Sequence, residues 1–271
     1  MSANTEIMKL QKQNPHPLDS RIVFDEEPHL YYIDGANNNT SVTTFVHQFF
    51  PEFNADLVIA KMRKSSRWEN STYYGMTDQE IKDIWEENRV ASSTAGTKMH
   101  YDIELFYNGM TVDNQSTEFN YFQQFHQDQV VKKGFLPYRT EWVVFDLEYQ
   151  LAGSIDMIFQ AKKDDPDTLL IYDWKRCKKI TKTNNFDTGK PPVDHLPDTN
   201  YWHYCLQLNM YRYILEKNYG KKIIGLFLVC LHPENNNCNY QQISVPFLDD
   251  EVADLLATRK LQLESKKINI N

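Results

Sequence analysis

Gly153-Ser154-Ile155-Asp156-Met157-Ile158, followed a few residues later by Leu170-Ile171-Tyr172-Asp173-Trp174-Lys175, is the pair of segments on which the fold of this chain turns. Both are apolar, strand-like runs that carry an acid. Side chains alternate along a strand, so Asp173 and Lys175 project from one face with Trp174 turned away. Asp156 on the preceding strand can supply a second carboxylate. An acid set among Leu, Ile and Tyr has to be neutralised by a proton, a partner or a metal, and oxygen ligands of this kind suit Mg²⁺ or Mn²⁺. A divalent ion and an ammonium group together offset the charge that gathers on phosphate oxygens when a phosphodiester is cut. A bare D-x-K pattern is nevertheless common by chance and also describes an ordinary salt bridge on a strand.

Two helical segments add what the short pattern lacks. In Ala95-Gly96-Thr97-Lys98-Met99-His100-Tyr101-Asp102-Ile103-Glu104, His100 and Glu104 are neighbours on one helical face. Gly96 and Thr97 lie one turn earlier, where a glycine permits close approach of another backbone. In Tyr201-Trp202-His203-Tyr204-Cys205-Leu206-Gln207-Leu208-Asn209-Met210-Tyr211, the side chains of His203, Gln207 and Tyr211 recur at four-residue steps. Such a stripe can be plain core, and its amide and phenol can also hold a phosphate or orient a lysine.

Taken in chain order, G-x-x-x-H at Gly96–His100, G-x-x-D at Gly153–Asp156, D-x-K at Asp173–Lys175 and Q-x-x-x-Y at Gln207–Tyr211 resemble the RecB-type branch of the PD-(D/E)xK nuclease superfamily. The flavour is that of compact viral, phage and mitochondrial single-strand exonucleases. The resemblance implies an α/β fold with a restriction-endonuclease-like core, in which a mixed central β-sheet is flanked by helices, plus an N-terminal helical lobe. It implies that His100, Asp156 and Asp173 are metal ligands, with the Trp174 carbonyl as a further one, and that Lys175 is the catalytic lysine. Gln207 and Tyr211 become a supporting pair that also touches the nucleic acid, together with Thr97, Arg176, Lys178 and Lys179. Glu104 matches an acid that some members carry after the histidine, and Glu141 is a further acid near the site. The activity implied is a Mg²⁺- or Mn²⁺-dependent exonuclease acting on single-stranded DNA ends or flaps in replication, recombination or repair. An RNA endonuclease of the same superfamily and an inactive nucleic-acid-binding module are the alternatives. Ile155 stands where the superfamily's name has proline. Cys177, Cys205, Cys230 and Cys238 include none upstream of the core, so an iron–sulfur cluster of the RecB style is not expected. Cys230, His232 and Cys238 lack a fourth zinc ligand of usual spacing.

The chain has 271 residues, 41% of them hydrophobic and 13% aromatic, enough for one large core. Its formal charge of −8 argues against a uniformly cationic binding surface. Cations are instead concentrated in Lys175-Arg176-Cys177-Lys178-Lys179-Ile180-Thr181-Lys182, and again at Lys61, Arg63, Lys64 and Arg67 beside Trp68, a combination suited to single strands. No phosphate-binding G-x-x-x-x-G-K-[ST] loop occurs, so any helicase is a separate partner. The start of the chain lacks a signal peptide's apolar segment and no run is long enough for a membrane span, so a soluble, intracellular protein is expected, with cytoplasmic, nuclear, organellar and viral settings equally open. The expected organisation is a flexible N-terminus over 1–20, a hairpin and helical lobe over 21–90, and a nuclease core over 91–271. Within it, helices are expected at about 54–65, 78–90, 93–108, 116–133 and 249–267, and strands at 138–145, 150–159, 169–174, 223–231 and 239–245.

Overall fold

The computed structural model describes residues 8–268. In chain order they form α1 (Lys9–Gln13), β1 (Ile22–Asp25), β2 (Leu30–Ile33), β3 (Thr40–Ser41), α2 (Val42–His47), α3 (Ala55–Arg63), α4 (Asp78–Tyr107), α5 (Thr117–Phe125), β4 (Leu136–Asp146), β5 (Leu151–Lys162), β6 (Asp165–Lys175), α6 (Asn200–Asn218), β7 (Lys222–Cys230), β8 (Gln241–Val245) and α7 (Asp249–Ile268). Helix starts follow the capping chemistry of the sequence. The side chains of Ser41, Asn54 and Ser116 accept from Thr44, Leu57 and Phe119 amides. Thr77 and Glu80 exchange hydrogen bonds as a capping box at the start of α4. The helices expected at 78–90 and 93–108 are one continuous α4, with Ser92 and Ser93 inside it. Neither proline nor glycine lies between Asp78 and Ala95, so nothing interrupts the backbone ladder there. The segment expected as one helix over 116–133 is α5 followed by a π-helical turn, His126–Val131.

The described residues up to Pro51 and from Met99 onward form one compact unit, and Glu52–Lys98 form a second. The second unit buries Ile59 and Ile81. Within it Arg63 bonds Asp78 and the Met76 carbonyl and lies over the Trp68 ring, so this member of the second cation set has partners of its own.

In the first unit a six-stranded mixed sheet has the order β3-β5-β6-β7-β8, with β4 on the other side of β5. β6 and β7 are parallel, joined through α6 as a parallel pair requires. The alternation of β6 divides the core. Leu169 and Ile171 pack with α6 and α2, while Leu170, Tyr172 and Trp174 pack with the end of α4 and with α5. Asp173 and Lys175 therefore emerge at the end of the α6 face. The β1–β2 hairpin belongs to this unit, packing Ile22, Tyr31 and Ile33 on Phe145 and Ala152.

Residues 1–7 lie outside the described residues, but 8–20 are held in place. Leu10 N donates to Asn108, Asn14 donates to the Tyr138 carbonyl, and Asp19 accepts from Arg139 and Trp142. Among the described residues no helix is long and apolar enough to cross a membrane.

Candidate functional site

Antiparallel pairing of β5 and β6 runs from Lys162↔Asp165 to Met157↔Tyr172, and beyond that rung the strands part. In the gap, Trp174 N donates to Asp156 Oδ2 at 2.8 Å, so a side chain takes up the backbone donor and is fixed by it. On the other side of β5, the rungs Thr140↔Met157 and Trp142↔Ile155 set Glu141 across from Asp156. Glu141 has φ +41°, a left-handed conformation rare for a residue with a side chain. Ser154 Oγ donates to its Oε2 at 2.8 Å. Two carboxylates thus face each other across neighbouring strands, an arrangement that repels unless a cation lies between them.

His100 on α4 supplies one such group. Its Nε2 is 3.0 Å from the Trp174 carbonyl oxygen, and its Nδ1 is 3.5 Å from Asp156 Oδ2 and 3.8 Å from Glu141 Oε1. Burial opposes a charge on the ring, but the Asp156 and Glu141 carboxylates outweigh it and raise His100 to about 9. Ligand atoms of His100, Glu141 and Asp156 all lie within 4.8 Å of one another.

Asp173 and Lys175 share the face the alternation assigns them, with Lys175 Nζ 2.6 Å from Asp173 Oδ2. Oδ2 is buried and is held by the Lys175 ammonium. Burial raises both the Asp156 and the Asp173 carboxyls, the latter opposed by Lys175. Lys175 also loses hydration, yet Asp173 and Asp156 hold it above its ordinary value and therefore charged. Three acids beside one lysine and one charged histidine leave an excess of negative charge, and one acid oxygen is buried against the Lys175 ammonium. The donor set fits a hard divalent cation.

On α6, Gln207 Nε2 donates to Tyr211 Oη at 3.4 Å. Tyr211 is buried against β5, and this explains Gly153: a Cβ there would come within 2.7 Å of the Tyr211 ring and hydroxyl. His203 leaves the stripe. It packs on Phe50 with ring centroids 3.8 Å apart and tilted planes, and pairs with Asp198. Gly96 does not serve close packing either, since an added Cβ would meet open space. Glu104, one turn beyond His100, is raised to about 7 by burial and by Glu141, but its carboxyl is not among the three that converge. Thr97 is exposed on α4 in the Glu52–Lys98 unit. Arg176 is tied to Glu118 at 2.7 Å and Lys178 to Glu234, whereas Lys179 is exposed.

Two neighbours carried little or no weight in the sequence. Tyr204 lies under the lysine, its ring centroid 4.6 Å from Lys175 Nζ, and nothing but its place three residues before Gln207 hints at this. Glu141 stood only as an acid near the site, because a left-handed turn inside a strand leaves no mark in residue type.

The profile of the PD-(D/E)XK nuclease superfamily matches residues 30–268. No curated protein matches the chain. Among solved structures, a protein of Eubacterium rectale named "Putative exonuclease" is similar over 84% of this chain and 79% of its own, at 13% identity and a TM-score of 0.38.

Proposed function

The chain belongs to the PD-(D/E)XK nuclease superfamily, whose members are divalent-metal-dependent phosphodiester hydrolases, and from that premise we propose that it is a Mg²⁺- or Mn²⁺-dependent deoxyribonuclease. Its substrate is a DNA end or flap in single-stranded form, cut exonucleolytically during replication, recombination or repair. The observation that supports this best is the meeting of Asp156, Glu141 and His100 at the point where β5 and β6 part, with Asp173 and Lys175 on the adjoining strand end.

His100, Asp156, Asp173 and the Trp174 carbonyl would hold the metal, with Glu141 as an additional acid. Bound there, the ion supplies positive charge that polarises the scissile phosphate and lowers the pKa of an attacking water. Lys175 remains charged, so it acts by orienting water and stabilising the phosphate rather than by taking a proton. Gln207 and Tyr211 brace β5 beside Asp156. Lys179 and Thr97 contact the nucleic acid directly, and Arg176 and Lys178 exchange Glu118 and Glu234 for phosphate oxygens. A separate helicase or replication protein would be its partner where duplex must be opened.

The test is incubation of the protein with Mn²⁺ or Mg²⁺ and single- or double-stranded DNA labelled at the 5′ or the 3′ end, beside Lys175→Ala and ribo-oligonucleotide controls. Metal-dependent shortening of DNA, lost in the variant, is expected. Cleavage of RNA alone would favour an RNA endonuclease. Binding of every substrate without cleavage by either protein would overturn the catalytic assignment in favour of a binding module.

A further inference from the structure

Cys177 and Cys230 take no part in the chemistry above, and both are free thiols. Their Sγ atoms are 3.9 Å apart, so closing a bond of about 2.05 Å asks for a movement of only about 2 Å. The two residues are held differently. Cys230 ends β7 directly across from Lys175, and Asn235 Nδ2 donates to its carbonyl at 3.0 Å. Its thiol donates to the Cys177 carbonyl at 2.9 Å. Cys177 sits two residues beyond Lys175, after the end of β6, and is half-buried, within reach of a small oxidant. The movement therefore falls on the segment that carries Lys175 and Arg176.

We propose that Cys177 and Cys230 form an oxidative modification site, at which a peroxide closes a disulfide that displaces the end of β6 and disables Lys175. The disabling half rests on the nuclease assignment; the thiol chemistry does not. A thiolate of the pair attacks one oxygen of hydrogen peroxide, breaking the O–O bond to give a sulfenic acid and hydroxide, which takes the proton that the thiol released and becomes water. The partner thiolate then attacks that sulfur, the S–S bond forms, and the sulfenic oxygen leaves as hydroxide, which the second thiol's proton turns into a second water. Two thiols lose two electrons in all, and one peroxide gains them. The contact between the two sulfurs holds the Cys230 thiol below its ordinary value and, with burial, pushes the Cys177 thiol up, so the pair ionises first at Cys230.

A shift of this size at Lys175 is expected to slow cleavage on the order of tenfold or more, since a misplacement of about 1 Å can cost about 100-fold. The full-length protein is treated with hydrogen peroxide, alkylated, mapped by peptide mass and assayed on labelled DNA with Mn²⁺. The expected result is a Cys177–Cys230 cross-linked peptide with loss of cleavage that dithiothreitol reverses, while Cys177→Ser and Cys177→Ala keep their rates in peroxide. Over-oxidised Cys177 without the cross-link, a cross-link with unchanged cleavage, or equal loss in the Cys177 variants would each overturn the proposal. The same maps report acetylation of Lys175 by acetic anhydride. Should the reduced protein cut nothing, the nuclease assignment fails by itself, and an acetylation rate changed by oxidation supports the displacement while an unchanged rate refutes it.

Discussion

Arg139 and Glu141 stand two residues apart on β4 and live in opposite electrostatic worlds. Arg139 is buried and answered: it pairs with Asp19 at 2.8 Å, donates to the Asn14 carbonyl at 2.9 Å and lies over the Trp142 ring, with only its Nε unpartnered. Trp142 Nε1 and the His16 amide complete the shell of Asp19. Glu141 faces another carboxylate, sits at φ +41° and shares its surroundings with a raised histidine and a buried Asp173 oxygen that leans on Lys175. One cluster balances charge and fastens the N-terminal segment to the sheet. The other sets three carboxylates against one lysine and one histidine, a negative excess where a further cation can be taken up. A single strand can therefore hold the chain together at one residue and store electrostatic conflict at the next but one.

The comparison breaks if the balanced cluster proves dispensable. Asp19→Ala leaves Arg139 buried without its partner, and unfolding in denaturant should show a loss of about 3–5 kcal/mol. Activity of the folded fraction should be nearly unchanged. The pH dependence has a definite sign. Burial would raise the Asp19 carboxyl, but the hydrogen bonds from Arg139 and the His16 amide carry it below 3.8. Its contribution is thus complete above an unfolded value of about 3.9 and is lost as pH falls through the lower folded value. Asp19→Asn should flatten that acid limb of the stability curve.

The opposite behaviour is expected of the unbalanced cluster. Asp156→Asn keeps an oxygen for the Trp174 amide and removes the repulsion with Glu141, so stability should stay within about 1 kcal/mol of the wild type. Cleavage should fall by about 10²–10³-fold, with Mn²⁺ binding by calorimetry weakened in step. A variant that unfolds as readily as Asp19→Ala would show that Asp156 serves the fold instead.

How much of this was legible follows from what kind of signal each residue leaves. Strand alternation placed Asp173 and Lys175 on one face and Trp174 on the other, and the sheet reproduces it, because burial on both faces fixes the register of β6. Ser41 and Thr77 cap their helices through side-chain chemistry that acts within four residues, a signal residue type carries. Long-range pairing was not visible. Nothing near Asp19 announces Arg139, so the N-terminal segment read as loose, and the cation run after Lys175 read as free charge because Glu118 and Glu234 are distant in sequence. His203 kept the spacing of Gln207 and Tyr211, yet each four-residue step drifts around a helix, and the Phe50 ring won it.

The glycine of G-x-x-D sharpens the contrast at a smaller scale. It belongs by motif to the catalytic strand, but what it does is packing: Tyr211 occupies the space a Cβ would need. Gly153→Ala should cost about 1–3 kcal/mol by overpacking and slow cleavage only as far as β5 shifts. Pairing it with Tyr211→Leu should recover part of the stability. Equal loss in the single and double variants would point to the backbone of Gly153 rather than the clash.

The smallest effect isolates the strain at Glu141 from its charge. Glu141→Gly and Glu141→Ala both remove the carboxylate and its bond from Ser154, so they should lose cleavage and Mn²⁺ affinity alike. They differ only in whether a Cβ must be carried at φ +41°. Glycine bears that conformation freely, so the Gly variant should be the more stable by about 1 kcal/mol, although glycine elsewhere in a strand is the weaker choice. That inversion, read as a difference in midpoint between two denaturation curves, would identify Glu141 as a residue kept in a costly backbone conformation for what its carboxylate does. The ordinary order, Ala above Gly, would mean that the strand adopts this shape without cost and that Glu141 is held there by packing alone.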